Sequence, residues 1–579
     1  MAEPTAECQL AGLPAEMLTA LSKLAEQLDR REMKVTSQAR SRTRALRYSI
    51  FTRAFAGGGF ASSPSPSDGT DRGISEAMDG ILQAAVAENP EVDRAVGAMI
   101  GNALGDSLGH PLEFIAVDES PDLGPQRPHL DPEFLTAAGA PLYWEEENRF
   151  NLKPGQWTDD FSMALCLADS LLVHRYYHGA DARVRWYNWW HNGYNNGFRF
   201  DSSRGSELGT DASSVGLGGN ISKSINDLEL YRINPDAIPP YYQSEGEDAG
   251  NGSIMRLSPV PIMFHFDVAL AEDVAVQQSR GTHPGNDAAA SCRFITFFIV
   301  QAIKSGLPSA VPGGPATPTQ QFVDQCVADF IRSHDLEADS GMRKLKQLLA
   351  SAEAAESKEV CWNWKLPQLP ISQAIRNRRK EGSYNGYPVL PSYWGSYCLD
   401  GLAMALWGVY HTTCFEAAVL KVVNLLGDAD STGAVAGQMA GALYGYQSLK
   451  GANGSRPVKY KVRQVESDCT ADTSETGDGK GSAFQSMGES WLHHLRRWDP
   501  YSEVPLRAVL LYCLQPKQAP ERDDDSEDDE DFEEEKAKEE DEQSDGSDED
   551  EQQEEKIEEF TDDVETTSDL PSSKRIRQE

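Results

Sequence analysis

The sequence predicts an all-α domain over residues 91–450, on three observations. Apolar residues recur at helical spacing through several long segments, period-2 runs bounded by hairpin turns are scarce, and two stretches repeat glycine every four residues. Residues i and i+4 share one face of a helix, so the glycines form stripes. In chain order the helical segments are EVDRAVGAMIGNALGDSLG (91–109), DDFSMALCLADSLLVHRYY (159–177), NDAAASCRFITFFIVQAIKSG (286–306), TQQFVDQCVADFIRSHD (319–335) and LDGLAMALWGVYHTTCFEAAVLKVVNLLG (399–427). Each carries an apolar face of period 3.6.

The flanks read differently. Residues 1–54 contain AEMLTALSKLAEQLDRREMKV, with the spacing of a short amphipathic helix. Residues 55–90 open with the Gly, Ser and Pro-rich AGGGFASSPSPSDGTDRG and read as a flexible linker. SGLPSAVPGGPATPTQQ at 305–321 reads as a disordered insertion, and 451–519 as a polar loop followed by one accessory helical element. From 520 to 579 the chain is an acidic tail that cannot bury enough apolar surface to fold.

The formal charge of −38 is unevenly placed: residues 521–570 hold 29 acidic against 4 basic residues and contribute −25 of it. The remainder is ordinary for a globular protein, and nothing resembles the basic footprint of direct nucleic-acid binding. Nine dispersed cysteines without a Cys-x-x-Cys pair point to a reducing compartment. The start MAEPTAECQL has no signal-peptide character, and no uncharged apolar run reaches the roughly 18 residues of a membrane span. The expectation is an intracellular protein without a membrane segment. The terminal SSKRIRQE is a candidate nuclear-import signal, so the expected location is cytoplasmic, nuclear or both.

The two glycine stripes are Gly97, Gly101, Gly105, Gly109 and Gly433, Gly437, Gly441, Gly445. Glycine within a helix costs up to about 1 kcal/mol relative to alanine, so such a row needs a compensating close approach of backbones. Packing alone leaves the acidic residues at the stripe ends unexplained. Asp106 and Glu113 lie beside the first stripe, and Asp428 and Asp430 precede the second. A third cluster, Thr158-Asp159-Asp160, opens an apolar helix. Thr158 as N-cap and acidic residues in the first turn account for that start by capping alone. Three buried acidic clusters together are prohibitive without a cation, however, and hard oxygen ligands favour Mg²⁺, Mn²⁺ or Ca²⁺ over zinc.

Two other motif readings fail on context. DADSTG opens like an EF-hand loop, but its twelfth position is Met439 where a bidentate glutamate is required. DADST also matches the nucleophile motif of haloacid-dehalogenase phosphatases. In those enzymes the motif ends an early β-strand, whereas here it follows the helical FEAAVLKVVNLLG.

With these residues assembled, the chain resembles the ADP-ribosylglycohydrolase family of the dinitrogenase-reductase-activating type between about 92 and 450. The resemblance rests on GAMIGNALGDSLGHPLEF, WTDDFSMAL, SVGLGGNISKSI, GNGSIMRLSPV, GTHPGNDAA and LLGDADSTGAVAGQMAGALYG, in family order. It implies an orthogonal helical bundle around a binuclear Mg²⁺ centre, with Mn²⁺ as a substitute. Thr158, Asp159, Asp160, Asp428, Asp430 and Ser431 would be the ligands. Most relatives carry threonine where this chain has Ser431, and serine keeps the hydroxyl oxygen.

The resemblance further implies hydrolysis at C1″ of ADP-ribose, with Asp159 or Asp160 taking a proton from water and Glu113 in the place of the glutamate that, in the serine-linkage branch, acts as acid/base or gates the site. Gly218, Gly250, Asn251, Gly252, Ser253, Met255 and Arg256 would line the substrate loops, and His283 would lie near the distal ribose. Arg256 reads equally as an internal partner, His283 reads more readily as a structural hydrogen-bonder, and Asp106 as a structural carboxylate or one behind the ligands. The aromatic RWYNWWHNGYNNGFRF is read as core in preference to an adenine wall. The expected partner of a monomeric enzyme is an ADP-ribosylated protein or ADP-ribose conjugate, with the acidic tail touching basic proteins. The alternative from another class is an inactive ADP-ribose-binding scaffold, although every ligand position keeps a suitable oxygen.

Overall fold

The computed structural model describes residues 70–117, 130–131, 148–198, 201, 214–231, 237–244, 249–308, 316–380, 390–449, 461–462, 491–500 and 502–517. The chain divides into Met1–Ala519 and Pro520–Glu579, and every described residue belongs to the first unit. The expected N-terminal helix of 1–54, the acidic tail and its basic end lie outside the described residues.

The described fold is all-α, as predicted. Its helices are α1 (Thr70–Glu88), α2 (Pro90–Gly109), α3 (Asp159–His174), α4 (Gly179–Asn192), α5 (Gly219–Asp227), α6 (Pro259–Met263), α7 (Val268–Arg280), α8 (Asn286–Ser305) and α9 (Pro318–Ser333). They continue as α10 (Ser340–Ala350), α11 (Ile371–Lys380), α12 (Cys398–Tyr410), α13 (Phe415–Val423), α14 (Ala429–Tyr444), α15 (Tyr446–Leu449), α16 (Trp491–Trp498) and α17 (Glu503–Cys513). The strand pairing among the described residues is one two-residue antiparallel ladder, Leu130–Asp131 with Lys461–Val462, and an isolated antiparallel bridge between Gly250 and Tyr397.

The glycine stripes are the seam of the molecule. Helices α2 and α14 run antiparallel with their backbones in contact. A Cβ on Gly97 would fall 2.2 Å from the Gly441 carbonyl oxygen, one on Gly101 2.1 Å from that of Gly437, and one on Gly105 2.0 Å from that of Gly433. At the far end a Cβ on Gly109 would fall 2.2 Å from the Ala429 carbonyl oxygen. Side chains of any size would part the helices. This register sets the C-terminal end of α2 against the N-terminal end of α14, which joins the two acidic clusters.

Several boundaries differ from the sequence reading. The linker read for 55–90 is helical from Thr70. Met78, Ile81, Leu82, Ala85 and Val86 recur on one face and are buried, which outweighs the Gly and Ser content before them. Within 305–321, Thr317 and Gln320 form a capping box that starts α9 at Pro318. The segment 399–427 is two helices, because the Thr412 hydroxyl bonds back to the Gly408 carbonyl at 2.8 Å and competes with helix continuation. The accessory element after 451 is also two helices. Its Arg507 Nε donates to Asp169 Oδ1 of α3 at 2.9 Å with both side chains buried, so α17 is integral to the core.

Helix α8 has the length and apolar composition of a membrane span, yet 78% of its apolar window is buried inside the bundle. Trp186 and Trp189 of the aromatic stretch are buried on α4, as the core reading expected.

Candidate active site

The seam delivers Asp428, Asp430 and Ser431 at the start of α14 to the side of Glu113, which follows α2 through the short turn His110–Leu112. Carboxylate oxygens of Glu113, Asp428 and Asp430 lie within 4.8 Å of one another, a grouping able to hold a metal ion. Helix α3 adds Asp159 and Asp160 from its first turn. Thr158 sits at the N-cap position, but its hydroxyl makes no cap bond. The cap is supplied from α2: the Asp106 carboxylate accepts from the backbone N–H of Phe161 at 3.0 Å and of Thr158 at 3.0 and 3.1 Å. The capping account of Thr158 is thereby corrected, and Asp106 is the residue that docks α3 on the seam.

The Thr158 hydroxyl lies 3.1 Å from Asp106 Oδ1, 3.1 Å from Asp160 Oδ2 and 3.5 Å from Asp430 Oδ2. One proton cannot serve three carboxylates. Glu113 Oε2 and Asp160 Oδ1 are buried and have no hydrogen-bond partner. Burial first, then Asp160, pushes Asp430 up to about 7, and burial with Asp430 beside it pushes Asp106 up to about 8. Glu113, Asp159, Asp160 and Asp428 stand well above the usual carboxylate range, through burial and then neighbouring carboxylates. The Glu113, Asp428 and Asp430 oxygens within 4.8 Å of one another, one of the glutamate's left orphaned, fit a divalent cation.

Above this floor is a cavity of about 300 Å³. Its wall has three parts. The loop before α5 contributes Gly216 and Gly218, and the first turn of α5 contributes Gly219, Asn220 and Ile221. Gly216 has φ +89°, and a Cβ there would fall 2.1 Å from Asp159 Oδ1, so only glycine lets this loop lie on the aspartate. The second part is the turn Gly250–Gly252 with Met255 and His283. A Cβ on Gly252 would meet His283 Cε1 at 2.7 Å. Asn251 ties this turn to the floor by donating from Nδ2 to Asp428 Oδ2 at 2.9 Å.

The third part is the segment 391–397, with Tyr393 and Ser396 facing the cavity. Tyr393 stacks on Phe114 at 5.9 Å, and the Arg149 guanidinium lies 4.1 Å from the Phe114 ring centre. Beneath this segment a buried ion pair, Arg378 Nη1 to Asp400 Oδ2 at 2.5 Å, supports Trp394, whose carbonyl accepts the Asp428 N–H at 2.9 Å.

Of the residues expected from sequence, Glu113, Asp159, Gly218, Gly250, Asn251, Gly252, Met255, His283, Asp428, Asp430 and Ser431 line the cavity. Thr158 and Asp160 lie just beneath its floor, in contact with those carboxylates. The Ser253 hydroxyl accepts from Ser279 at 2.9 Å, whereas the expectation for this residue concerns its backbone. One expectation is corrected. Arg256 is fully buried, donating to Gln278 and Thr282 over the Trp186 ring, so it does not line the cavity. Asn220, Tyr393 and Ser396 are cavity residues that sequence reasoning did not single out. The only signal for the last two is the Pro, Gly and aromatic-rich PSYWGSY, which does not distinguish a wall from a loop.

An all-α bundle with a carboxylate floor under a cavity lined by glycine turns has the parts of a cation-assisted active centre. The ADP-ribosylglycohydrolase family model matches residues 87–468. The chain is 28% identical over 367 residues to ADP-ribosylarginine hydrolase Tri1 of Serratia proteamaculans, covering 63% of this chain and 75% of that protein. It is 26% identical over 360 residues to ADP-ribosyl-[dinitrogen reductase] glycohydrolase of Rhodospirillum rubrum, covering 62% of this chain and 87% of that one. A solved structure titled ADP-ribosylglycohydrolase-related protein complex aligns at 21% identity with a TM-score of 0.40, covering 73% of this chain and 99% of the other. The chain belongs to the ADP-ribosylglycohydrolase family and is a glycosidic hydrolase by class.

Proposed function

We propose that the protein hydrolyses the N-glycosidic bond between C1″ of ADP-ribose and an arginine side chain of a modified protein, and that it requires two Mg²⁺ ions or Mn²⁺ in their place. The observation that carries the reading is the convergence of Glu113, Asp159, Asp160, Asp428 and Asp430, two of them with unpartnered oxygens, under one cavity. Thr158, Asp159, Asp160, Asp428, Asp430 and Ser431 are the oxygen donors that would hold the cations. Bound there, divalent cations neutralise the carboxylates and polarise substrate hydroxyls and water.

The chain's own residues supply the rest. The first N–H groups of α5 have no intrahelical acceptor and suit the diphosphate. Asp159 lines the cavity, whereas Asp160 lies beneath it, so Asp159 is the better placed to take a proton from water. The water oxygen bonds to C1″, the C1″–N bond breaks, and the leaving nitrogen takes a proton. Glu113, which lines the cavity beside Asp428 and Asp430, is placed to donate that proton. Developing positive charge on the sugar is offset by the remaining carboxylates. The Tyr393 ring beside Glu113 offers a face to a guanidinium, which supports the arginine linkage together with the names of the relatives.

The cellular reading is a monomer of the cytoplasm or nucleus, with its acidic tail available to basic proteins. All seven described cysteines are unpaired thiols, which supports a reducing compartment. The test is free ADP-ribose release from arginine-linked and serine-linked proteins, with Mg²⁺ and with chelator. Cation-dependent release from the arginine linkage supports the proposal. Release from serine alone overturns the linkage. ADP-ribose binding without release from either would favour the scaffold.

A further inference from the structure

The corrected position of Arg256 leads to a role that sequence reasoning did not suggest. Its guanidinium lies 3.9 Å from the Trp186 ring centre and donates from Nε to Gln278 Oε1 at 3.1 Å. From Nη2 it donates to the Gln278 carbonyl at 3.0 Å and to Thr282 Oγ1 at 2.8 Å. Thr282 Oγ1 in turn lies 2.8 Å from His283 Nδ1. Thr282 and His283 are both buried.

The direction of this chain follows from counting protons. A guanidinium only donates, so the Thr282 oxygen accepts from Arg256. Among the described residues the remaining partner of that hydroxyl is His283 Nδ1, and a buried hydroxyl proton left without an acceptor is costly. Thr282 therefore donates to Nδ1, and the imidazole proton resides on Nε2. A second fact agrees: burial, then the Arg256 charge, holds the ring down at about 3, so the imidazole is neutral.

The Nε2 edge is the one that meets the substrate turn. It lies 3.0 Å from where a Gly250 Cβ would be, and Asn220 Nδ2 lies 3.3 Å from the same point. Asn220, Gly250 and His283 all line the cavity. This corner presents N–H donors and no carboxylate, in contrast to the floor.

We propose that Arg256 and Thr282 are positioning residues that fix His283 in its Nε2–H tautomer, so that a neutral donor meets an acceptor oxygen of the bound ligand. That the ligand is ADP-ribose rests on the function proposed above; the tautomer does not.

The experiment uses the full-length protein labelled with ¹⁵N-histidine, with His283 signals assigned by their loss in His283→Gln. Long-range ¹H–¹⁵N correlations report which ring nitrogen carries the proton, and ADP-ribose affinity is measured by calorimetry. Wild type is expected to show a protonated Nε2 and a bare Nδ1. Thr282→Val removes the donor to Nδ1 and should mix the tautomers and weaken ADP-ribose by about tenfold, the scale of one hydrogen bond. Thr282→Ser keeps the hydroxyl and should restore both readings, which a loss of packing would not explain. A proton on Nδ1 in wild type, or an unmixed tautomer in Thr282→Val, overturns the proposal. Failure of wild type to bind ADP-ribose removes the function reading instead, and the tautomer spectrum still decides the relay.

Discussion

The floor and the wall of the cavity are held by different means. The floor sits where two helices touch backbone to backbone, with four pairwise approaches, from Gly97 on Gly441 to Gly109 on Ala429, fixing their register. The wall is made of turns, each anchored by a few polar bonds: Gly216 on Asp159, Asn251 on Asp428, and Trp394 over the Arg378–Asp400 pair. The seam tolerates no added atom, because its contacts are carbonyl oxygens. The wall can change side chains at its surface while the anchors persist. The carboxylates, which must converge from three places in the chain, are positioned by the stiffer of the two.

Breaking the seam should have the largest effect. In Gly437→Val the new Cβ would lie 2.0 Å from the Gly101 carbonyl oxygen, so the helices must part. The expected loss is at least about 3 kcal/mol of unfolding free energy by urea titration, at the upper end of overpacking costs. Full stability in this variant would show that the seam is not close-packed.

Next comes the wall's buried anchor. Asp400→Asn leaves the Arg378 guanidinium buried beside Trp394 without its charge partner. A loss of about 3 kcal/mol is expected, together with a fall in ADP-ribose affinity as the 391–397 segment relaxes. Loss of stability without loss of affinity would mean that the wall is not held from beneath.

The floor predicts a pH dependence with a definite sign. Asp430 rises from an ordinary value near 3.8 to about 7 in the folded chain. The folded state therefore keeps its proton where the unfolded state has lost it. This group's contribution to cation-free stability is full below about 4 and is lost as pH rises through 7. A cation displaces that proton, so the rise in melting temperature on adding Mg²⁺ should grow between pH 5 and pH 8. A cation effect that shrinks with pH would contradict a carboxylate site.

The smallest effect is at the wall's surface. Tyr393→Ala removes one ring face and should raise KM for an arginine-linked substrate by about tenfold, on the scale of one cation–π contact, with stability unchanged. An equal effect on a serine-linked substrate would assign the ring to the ADP-ribose itself.

This division also explains what the sequence disclosed. Glycine every four residues is a local pattern with a single economical cause, so a close backbone approach could be read directly; that the two stripes meet each other, and so bring Glu113 to Asp428 and Asp430, is visible only in the fold. Thr158-Asp159-Asp160 was legible as an acidic helix start, but that Asp106 and not Thr158 caps it depends on a contact across 55 residues of chain, visible only when folded. Arg256 and the cavity-lining Met255 belong to one motif of the resemblance, and only the fold separates them by burying Arg256 against Trp186. Tyr393 and Ser396 carry no local signature; only the fold of α11 and α12 against them makes a wall. The register of α1 was obscured by the glycine and serine residues that precede it.

The central claim is that the seam assembles a cation-binding carboxylate centre. The most direct test is calorimetric titration of the metal-free full-length protein with Mn²⁺, beside Asp430→Asn. The account predicts saturable binding of two ions by wild type and loss of at least one site in the variant. Binding that is absent in wild type, or unchanged in Asp430→Asn, would contradict it.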